Sequence, residues 1–285
     1  MSVSFEFFPP RTPEAEERWW TAIERLAALD PTFVSVTCGA GGTGVEKTLE
    51  SLRAMTARTD LRLAGHLTCI GRSRQEVDAA IAAYWDTGVR QILALRGDMP
   101  EGVPYAAHSG GYASSVELIE AVQRVAPFEI SVAAYPQRHP DSISPTKDLE
   151  WLARKVDAGA ARAITQFCFD TDQILRLRDA VDFAGIEVNL VPGILSATNF
   201  KSVSRMATKC GVELPSWLLA RFAGLEDDRE TRMALAAIVA AEQVDRLSKE
   251  GFEEFHFFTM NNYDVVPAIC RLIDVGTARP EVSVR

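Results

Sequence analysis

The stretch VSFEFFPPR, residues 3–11, has the composition of a buried β-strand that two prolines end. Aromatic residues favour strands, and proline cannot continue a central strand because it has no N–H group to donate. Similar short apolar segments recur along the chain at intervals of about 30 residues, the spacing of a βα repeat. The predicted strands are Val3–Phe8, Phe33–Thr37, Leu63–Thr68, Ile92–Leu95, Ile130–Ala134, Ala163–Phe167, Val188–Val191 and Phe255–Thr259.

Helical patterns lie between these strands. Ser73 followed by Glu76 is a capping box that opens one helix. The last interval is longer and predicts an extra helix at Trp217 before a long helix from about Asp228 to Lys249. Strands alternating with helices predict an α/β fold, a single (β/α)8 TIM barrel forming one catalytic domain over residues 1–285. A doubly wound open sheet is the alternative, because periodicity alone cannot close a barrel.

Composition and charge exclude several classes of function. The chain has 285 residues and a formal net charge of −9, without the basic face that nucleic-acid binding needs. Its longest apolar stretch, residues 233–241, is too short to span a bilayer, and its N-terminus has no basic region typical of a signal peptide. Its cysteines show no zinc-binding spacing. We therefore expect a cytoplasmic protein that binds no nucleic acid, membrane or metal.

Polar residues follow the predicted strands, where barrel enzymes carry their active sites. Glu6 lies among phenylalanines, and loss of water favours the protonated form of a carboxylate, which suits a general acid; a salt-bridged strand end is the alternative. Asp98 is either a ligand for a ring N–H group or a turn aspartate. His66 is either a ligand contact or a core residue, and His256, between two phenylalanines, is interpreted as a packing residue.

Common catalytic motifs are missing from the sequence. It has no GxSxG nucleophile elbow and no HExxH zinc motif. The glycine-rich segment CGAGGTG, residues 38–44, is only a weak phosphate-binding signal, because neither a P-loop nor a dinucleotide fingerprint is present. Redox chemistry at this barrel would therefore need a cofactor held at the barrel mouth.

Nine motifs, in order along the chain, resemble the methylenetetrahydrofolate reductase family, in its bacterial catalytic-domain form. The resemblance covers nearly the whole chain. The motifs are Phe5–Arg11, Phe33–Thr37, His66–Cys69, Leu95–Asp98, Ala133–Pro136, Lys155–Ala160, Ile164–Phe167, Val191–Ile194 and Phe255–Phe257.

The resemblance implies an enzyme with FAD at its barrel mouth. In such a reductase NADH or NADPH reduces the flavin at N5 and leaves. 5,10-Methylenetetrahydrofolate then binds in its place and is reduced to 5-methyltetrahydrofolate, a ping-pong sequence. Family members often associate, so the resemblance also implies a homo-oligomer.

The resemblance further implies roles for single residues. The implied catalytic residues are Glu6 and Asp98. Glu6 matches the catalytic acid, which protonates N10 of the folate, and Asp98 matches a residue that holds the pterin near the flavin. The implied substrate-binding residues are Glu6, Asp98, Gln166, Ser202, Met206 and Asn262. The implied cofactor-binding residues are Thr37, Cys38, Ala40, His66, Arg96, Gly97, Asp98, Tyr112, Ala113, Tyr135, His139, Asp148, Arg154 and Lys155.

Three positions depart from the family pattern. Cys38 replaces a frequent tyrosine beside the flavin, Met206 a phenylalanine that stacks on the second substrate, and Asn262 a frequent arginine. These departures keep two alternatives open. One is a flavin-independent folate-binding barrel or one-carbon transferase; the other is a folate or flavin binder without catalysis.

Overall fold

The computed structural model describes residues 1–39, 44–99, 103 and 105–275. Its strands form one parallel sheet in the order β7-β6-β5-β4-β3-β2-β1-β9-β8. Because β1 pairs with β9, the first and last strands are neighbours, and the sheet curls into a nearly closed barrel. The strands are β1 (Ser2–Phe7), β2 (Val34–Val36), β3 (Leu63–Thr68), β4 (Gln91–Leu95), β5 (Glu129–Ala134), β6 (Arg162–Thr165), β7 (Asn189–Val191), β8 (Gly193–Leu195) and β9 (Glu254–Phe258).

Ten helices are present in the described part of the chain, and most follow a strand directly. The predicted capping box is confirmed, since Ser73 and Glu76 bond each other's backbone at the start of α3. The helices are α1 (Pro13–Ala27), α2 (Val45–Arg58), α3 (Arg74–Asp86), α4 (Ser115–Val125), α5 (Pro145–Asp157), α6 (Thr171–Phe183), α7 (Phe200–Cys210), α8 (Ser216–Phe222), α9 (Arg229–Lys249) and α10 (Val266–Leu272).

The barrel closes at its seventh strand, which Pro192 divides into β7 and β8. β7 pairs with β6, and β8 pairs with β9. Pro192 cannot donate a hydrogen bond, but its carbonyl accepts one from His256 N at 2.9 Å. On the other side, Gly193 N donates to Thr165 Oγ1 at 2.9 Å. The predicted TIM barrel is thus confirmed and the open sheet is wrong. The predicted strand Val188–Val191 corresponds to β7 alone, and β8 after Pro192 was not predicted.

The core has an outer layer and an interior. Phe5, Phe7 and Trp19 belong to the large apolar cluster between the strands and the helices. The barrel interior holds a smaller cluster that includes Phe33. Below it, the Arg162 guanidinium lies 4.9 Å from the Phe33 ring centre and pairs with Glu129 and Glu254. Packing and these ion pairs therefore fill the N-terminal end of the barrel interior.

Two helices, not one, lie between β8 and α9. The predicted extra helix at Trp217 is α8, and α7 before it was not predicted. Both pack on an apolar cluster with Phe167 and Leu195, which lie just after β6 and at the end of β8. This contact places α7 beside the C-terminal end of the barrel. No helix in the described ranges combines the length and apolar character needed to cross a membrane.

Candidate active site

Glu6 is the centre of the candidate site. It lies near the C-terminal end of β1 and is only 8% exposed. Its Oε2 lies 3.4 Å from His66 Nε2 and 3.8 Å from His256 Nε2. Neither histidine nitrogen has a hydrogen-bond partner among the described residues, so these contacts are close but not well aligned. A buried carboxylate beside two imidazoles is equipped to hold or release a proton.

His256 is more than the packing residue that the sequence suggested. Its ring does stack on Phe33, with centroids 5.6 Å apart. However, its Nδ1 is also hydrogen-bonded to Ser4 Oγ at 2.7 Å, and Ser4 is its partner in the β1–β9 register. Because Ser4 and Glu6 are two residues apart on one strand, both face the barrel interior. Ser4, His256 and Glu6 therefore form one buried polar row.

Burial lowers the pKa of His66 to about 4; the Glu6 carboxylate acts in the opposite direction, and His256 acts with burial. The folded protein therefore resists protonation of His66 below its ordinary pKa, whereas the unfolded chain does not. We expect the free energy of unfolding to fall by about 1.5 kcal/mol between pH 6.5 and pH 5 through this group alone. Denaturant unfolding of wild type and His66→Gln at both pH values checks this. An equal loss in both proteins would contradict it.

Hydrogen bonds from the chain after β9 hold the end of β1 in place. Thr259 Oγ1 donates to the Glu6 carbonyl at 2.6 Å. Asn261 donates from Nδ2 to the Phe8 carbonyl and accepts from Phe8 N, at 3.0 and 2.8 Å. Asn261 has a φ of 56°, a left-handed conformation that asparagine tolerates. Its role was not recognised in the sequence, because only the barrel closure brings it next to Phe8.

The segment after β4 presents Asp98 to solvent. Gly97 has a φ of 87°, and a Cβ there would lie 2.4 Å from Ile70 Cγ2, so the turn requires glycine. Arg96 donates to Asp141 Oδ2 at 2.5 Å, and its guanidinium lies 3.9 Å from Asp98 Oδ1. The Asp98 side chain is 82% exposed and is free to contact a ligand.

Tyr135, His139, Asp148 and Lys155 gather between β5 and α5. The Tyr135 and His139 rings meet edge to face at 4.6 Å, and Asp148 Oδ2 accepts from His139 N at 3.0 Å. Lys155 Nζ donates to the Ala133 carbonyl at 2.9 Å. Burial lowers the pKa of Lys155 to about 8, although Asp148 acts to raise it. This cluster places a half-buried ammonium beside the Tyr135 ring, with Arg154 stacked over Trp151 on the same helix.

Thr37 and Cys38 follow β2 and have different surroundings, the barrel mouth and the core. Thr37 Oγ1 is buried and has no hydrogen-bond partner among the described residues, although polar groups inside proteins normally have one. Cys38 instead belongs to the apolar core, and burial raises the pKa of its thiol. The Cys38 side chain therefore faces the core, so a ligand at the mouth would contact the Cys38 backbone. Ala40 lies outside the described residues.

Tyr112 and Ala113 lie just before α4. The Tyr112 hydroxyl donates to Asp78 Oδ1 at 2.7 Å and accepts from Arg124 at 3.0 Å. It is therefore engaged between α3 and α4. The Ala113 carbonyl accepts a hydrogen bond from the Tyr105 hydroxyl at 2.7 Å.

The expected substrate residues lie on three elements around the mouth. Gln166 follows β6, and its Oε1 accepts from Phe167 N at 3.0 Å. Ser202 and Met206 are one turn apart on α7, where Met206 packs on the apolar cluster below. Asn262 follows β9 and accepts from Asp264 N at 2.8 Å. No ligand distance joins these residues, and their roles stay predictions.

Comparison with known proteins shows the family of the chain. A family model described as Methylenetetrahydrofolate reductase matches residues 1–274. The chain is 45% identical to 5,10-methylenetetrahydrofolate reductase of Pectobacterium carotovorum subsp. carotovorum, covering 99% of this chain and 92% of that protein. It is 46% identical to the enzyme of the same name in Escherichia coli (strain K12), covering 96% and 91%.

A solved structure shares the fold at low identity. It is an uncharacterized protein from Clostridium thermocellum that binds two copies of 5-methyl-5,6,7,8-tetrahydrofolic acid, with a TM-score of 0.61 and 15% identity over 96% of this chain and 95% of that one. That likeness supports the barrel alone. The family model and the two bacterial relatives show more: the chain belongs to the methylenetetrahydrofolate reductase family and is an oxidoreductase.

Proposed function

We propose that this protein, as one catalytic domain, reduces 5,10-methylenetetrahydrofolate to 5-methyltetrahydrofolate with FAD as cofactor and NADH or NADPH as donor. The observation that carries the proposal is Glu6, a carboxylate that is buried at the mouth of the barrel beside His66, with no lysine or arginine of the described residues within ion-pair distance. Membership of the reductase family supports the folate as substrate.

The residues at the mouth suit a flavin cofactor. The unpaired Thr37 hydroxyl is an orphaned polar group of the kind that a ligand satisfies. Lys155 and Arg154 offer cations for a diphosphate, and His66, held neutral by burial, suits contact with an uncharged ring. Thr37, Arg96, Tyr135, His139 and Lys155 would hold FAD. Bound FAD would supply the redox chemistry, a hydride taken from the nicotinamide and given to the folate.

Glu6 would deliver the proton that this reduction needs. In the proposed step its carboxyl group protonates N10 of the folate, and the five-membered ring opens to an iminium that accepts the hydride. Asp98 would hold the pterin ring by accepting its N–H groups, since its carboxylate is exposed and directed by the Gly97 turn. His256, fixed by Ser4, would keep the Glu6 side chain oriented.

Flavin affinity should depend on the charge of Lys155. An anionic diphosphate favours the ammonium form, and the pKa of Lys155 is lowered to about 8. We therefore expect the Kd for FAD to rise about tenfold between pH 7 and pH 9, as the ammonium loses its proton. Lys155→Met should bind FAD weakly at both pH values. Fluorescence titration of apoprotein checks this, and a Lys155→Met profile that parallels wild type would contradict it.

Removal of flavin separates the proposal from the flavin-independent alternative. Flavin-free apoprotein is incubated with NADH or NADPH and 5,10-methylenetetrahydrofolate, with and without added FAD, and the folate products are separated by chromatography. We expect 5-methyltetrahydrofolate only when FAD is present. Equal product without FAD would favour the flavin-independent barrel, and no product in either case would contradict a reductase.

A further inference from the structure

Arg96, the first residue after β4, lies between two carboxylates at the mouth of the barrel. Its Nη2 atom is 2.5 Å from Asp141 Oδ2, in the segment between β5 and α5, and 3.9 Å from Asp98 Oδ1. Among the residues that the structure describes, these are the two carboxylates within ion-pair distance of Arg96. Both acids thus face the same nitrogen, and at these distances only Asp141 accepts a hydrogen bond from it.

Two further contacts fix the orientation of the Arg96 guanidinium. Its Nε donates to the Gly97 carbonyl at 3.2 Å. The Tyr105 ring covers one face, with the guanidinium carbon 4.4 Å from the ring centre. Because Nε and this face are already engaged, the free choice of partner is at Nη2, between Asp141 and Asp98.

Asp141 is itself held in place as the partner of Arg96. Its backbone N–H donates to His139 Nδ1 at 3.0 Å, and the His139 N–H donates to Asp148 Oδ2 at 3.0 Å, in the first turn of α5. The hydrogen bond from Arg96 lowers the pKa of the Asp141 carboxyl group, so this group is ionised at neutral pH. The Asp98 carboxylate, by contrast, is largely exposed to solvent. Asp141 is therefore the better placed of the two acids to hold the arginine.

We propose that Asp141 is a positioning residue for folate binding: by holding Arg96, it keeps the Asp98 carboxylate free to accept the N–H groups of the pterin ring. The inference rests on the proposed function, in which Asp98 holds the pterin. An arginine paired with Asp98 would occupy the oxygens that the ring needs, and the substrate would have to displace it. Asp141 prevents this pairing and acts through Arg96.

Asp141→Asn tests this role, because the amide has nearly the same shape but no charge to hold Arg96. In the FAD-bound protein we expect the KM for 5,10-methylenetetrahydrofolate to rise about fivefold, the upper range for competition by one exposed ion pair, with kcat nearly unchanged. High salt should narrow this difference, because it screens the competing Arg96–Asp98 pair. Asp141→Glu keeps the charge and should keep a KM near that of wild type.

A double-mutant cycle separates this role from a structural one. In an Asp98→Asn background, Asp141→Asn still frees Arg96 but leaves no Asp98 carboxylate for it to pair with. The KM should then change by less than about twofold, because the two substitutions act through one interaction. A fivefold rise in both backgrounds would show that Asp141 does not act through Asp98, and would overturn the proposal.

Asp245→Asn is the matched control. Asp245 pairs with Lys249 at 2.6 Å, and its side chain is 59% exposed, close to the 56% of Asp141. It lies in the last turns of α9, which lead to the start of β9 at the opposite end of the barrel, so the wild-type KM should be kept.

The flavin absorbance of each variant is recorded beside its KM. The proposal is overturned if Asp141→Asn keeps the wild-type KM, or if it loses FAD, since Asp141 would then support the cofactor instead of the folate. Failure of wild type to reduce the folate would overturn the reductase function, and this inference with it.

Discussion

Replacing Glu6 with glutamine should lower the rate of 5,10-methylenetetrahydrofolate reduction by about 10²- to 10⁴-fold, the usual contribution of a general acid. Glutamine has nearly the same shape but cannot release the proton that opens the folate ring. Reduction of bound flavin by NADH needs no such proton, so its rate should stay near that of wild type. Single-turnover measurements of the two half-reactions check this difference.

Two controls accompany this experiment. Glu250→Gln removes an exposed carboxylate after α9 and should leave both half-reactions unchanged. Ser4→Ala removes only the hydrogen bond to His256, so it should slow folate reduction less than Glu6→Gln. If Glu6→Gln reduces folate as fast as wild type, Glu6 is not the acid.

Replacing Gly193 with alanine should destabilise the barrel by about 3 kcal/mol, the upper range for overpacking. A Cβ at this position would lie 2.2 Å from the Thr165 carbonyl oxygen and 2.5 Å from the Phe258 ring. Neither neighbour can move easily, because Thr165 is the last residue of β6 and Phe258 is the last residue of β9, the strands on either side of the seventh strand. The loss should appear as a lower midpoint in denaturant unfolding.

Gly110→Ala is the matched control for this substitution. A Cβ at Gly110 would meet only the His108 ring, at 3.8 Å or more, which is ordinary van der Waals contact. We expect its unfolding midpoint to stay near that of wild type. If Gly193→Ala is as stable as Gly110→Ala, β8 can move away from Thr165 and Phe258 without loss of stability, and the close packing at Gly193 is not needed for barrel closure.

Local sequence patterns were enough to predict the alternation of strands and helices. Short apolar runs such as Leu63–Thr68, each followed by a helix signal such as Ser73 with Glu76, depend only on neighbouring residues, and the structure confirms them. The division of the seventh strand was not predictable, because it depends on which partners lie on each side of Pro192. Helix α7 was missed because its stability comes from packing on Phe167 and Leu195, which are distant in sequence.

In the candidate site, too, local patterns predicted some features, and contacts between distant residues decided the others. Glu6 could be singled out because a carboxylate among phenylalanines is unusual on any strand. The partners of this strand come from the other end of the chain: His256 bonds Ser4, and Asn261 bonds Phe8 across 253 residues. A pattern read along the sequence cannot show which strand lies next to β1. Only the β1–β9 pairing turns a presumed packing histidine into part of a polar row.

Anaerobic stopped-flow spectroscopy of the FAD-bound protein tests the central claim most directly. NADH is added first, and 5,10-methylenetetrahydrofolate follows once the donor is consumed. The proposed reductase should lose its flavin absorbance in the first step and regain it in the second, with one 5-methyltetrahydrofolate formed per flavin. A flavin that NADH bleaches and the folate never reoxidises would contradict the account.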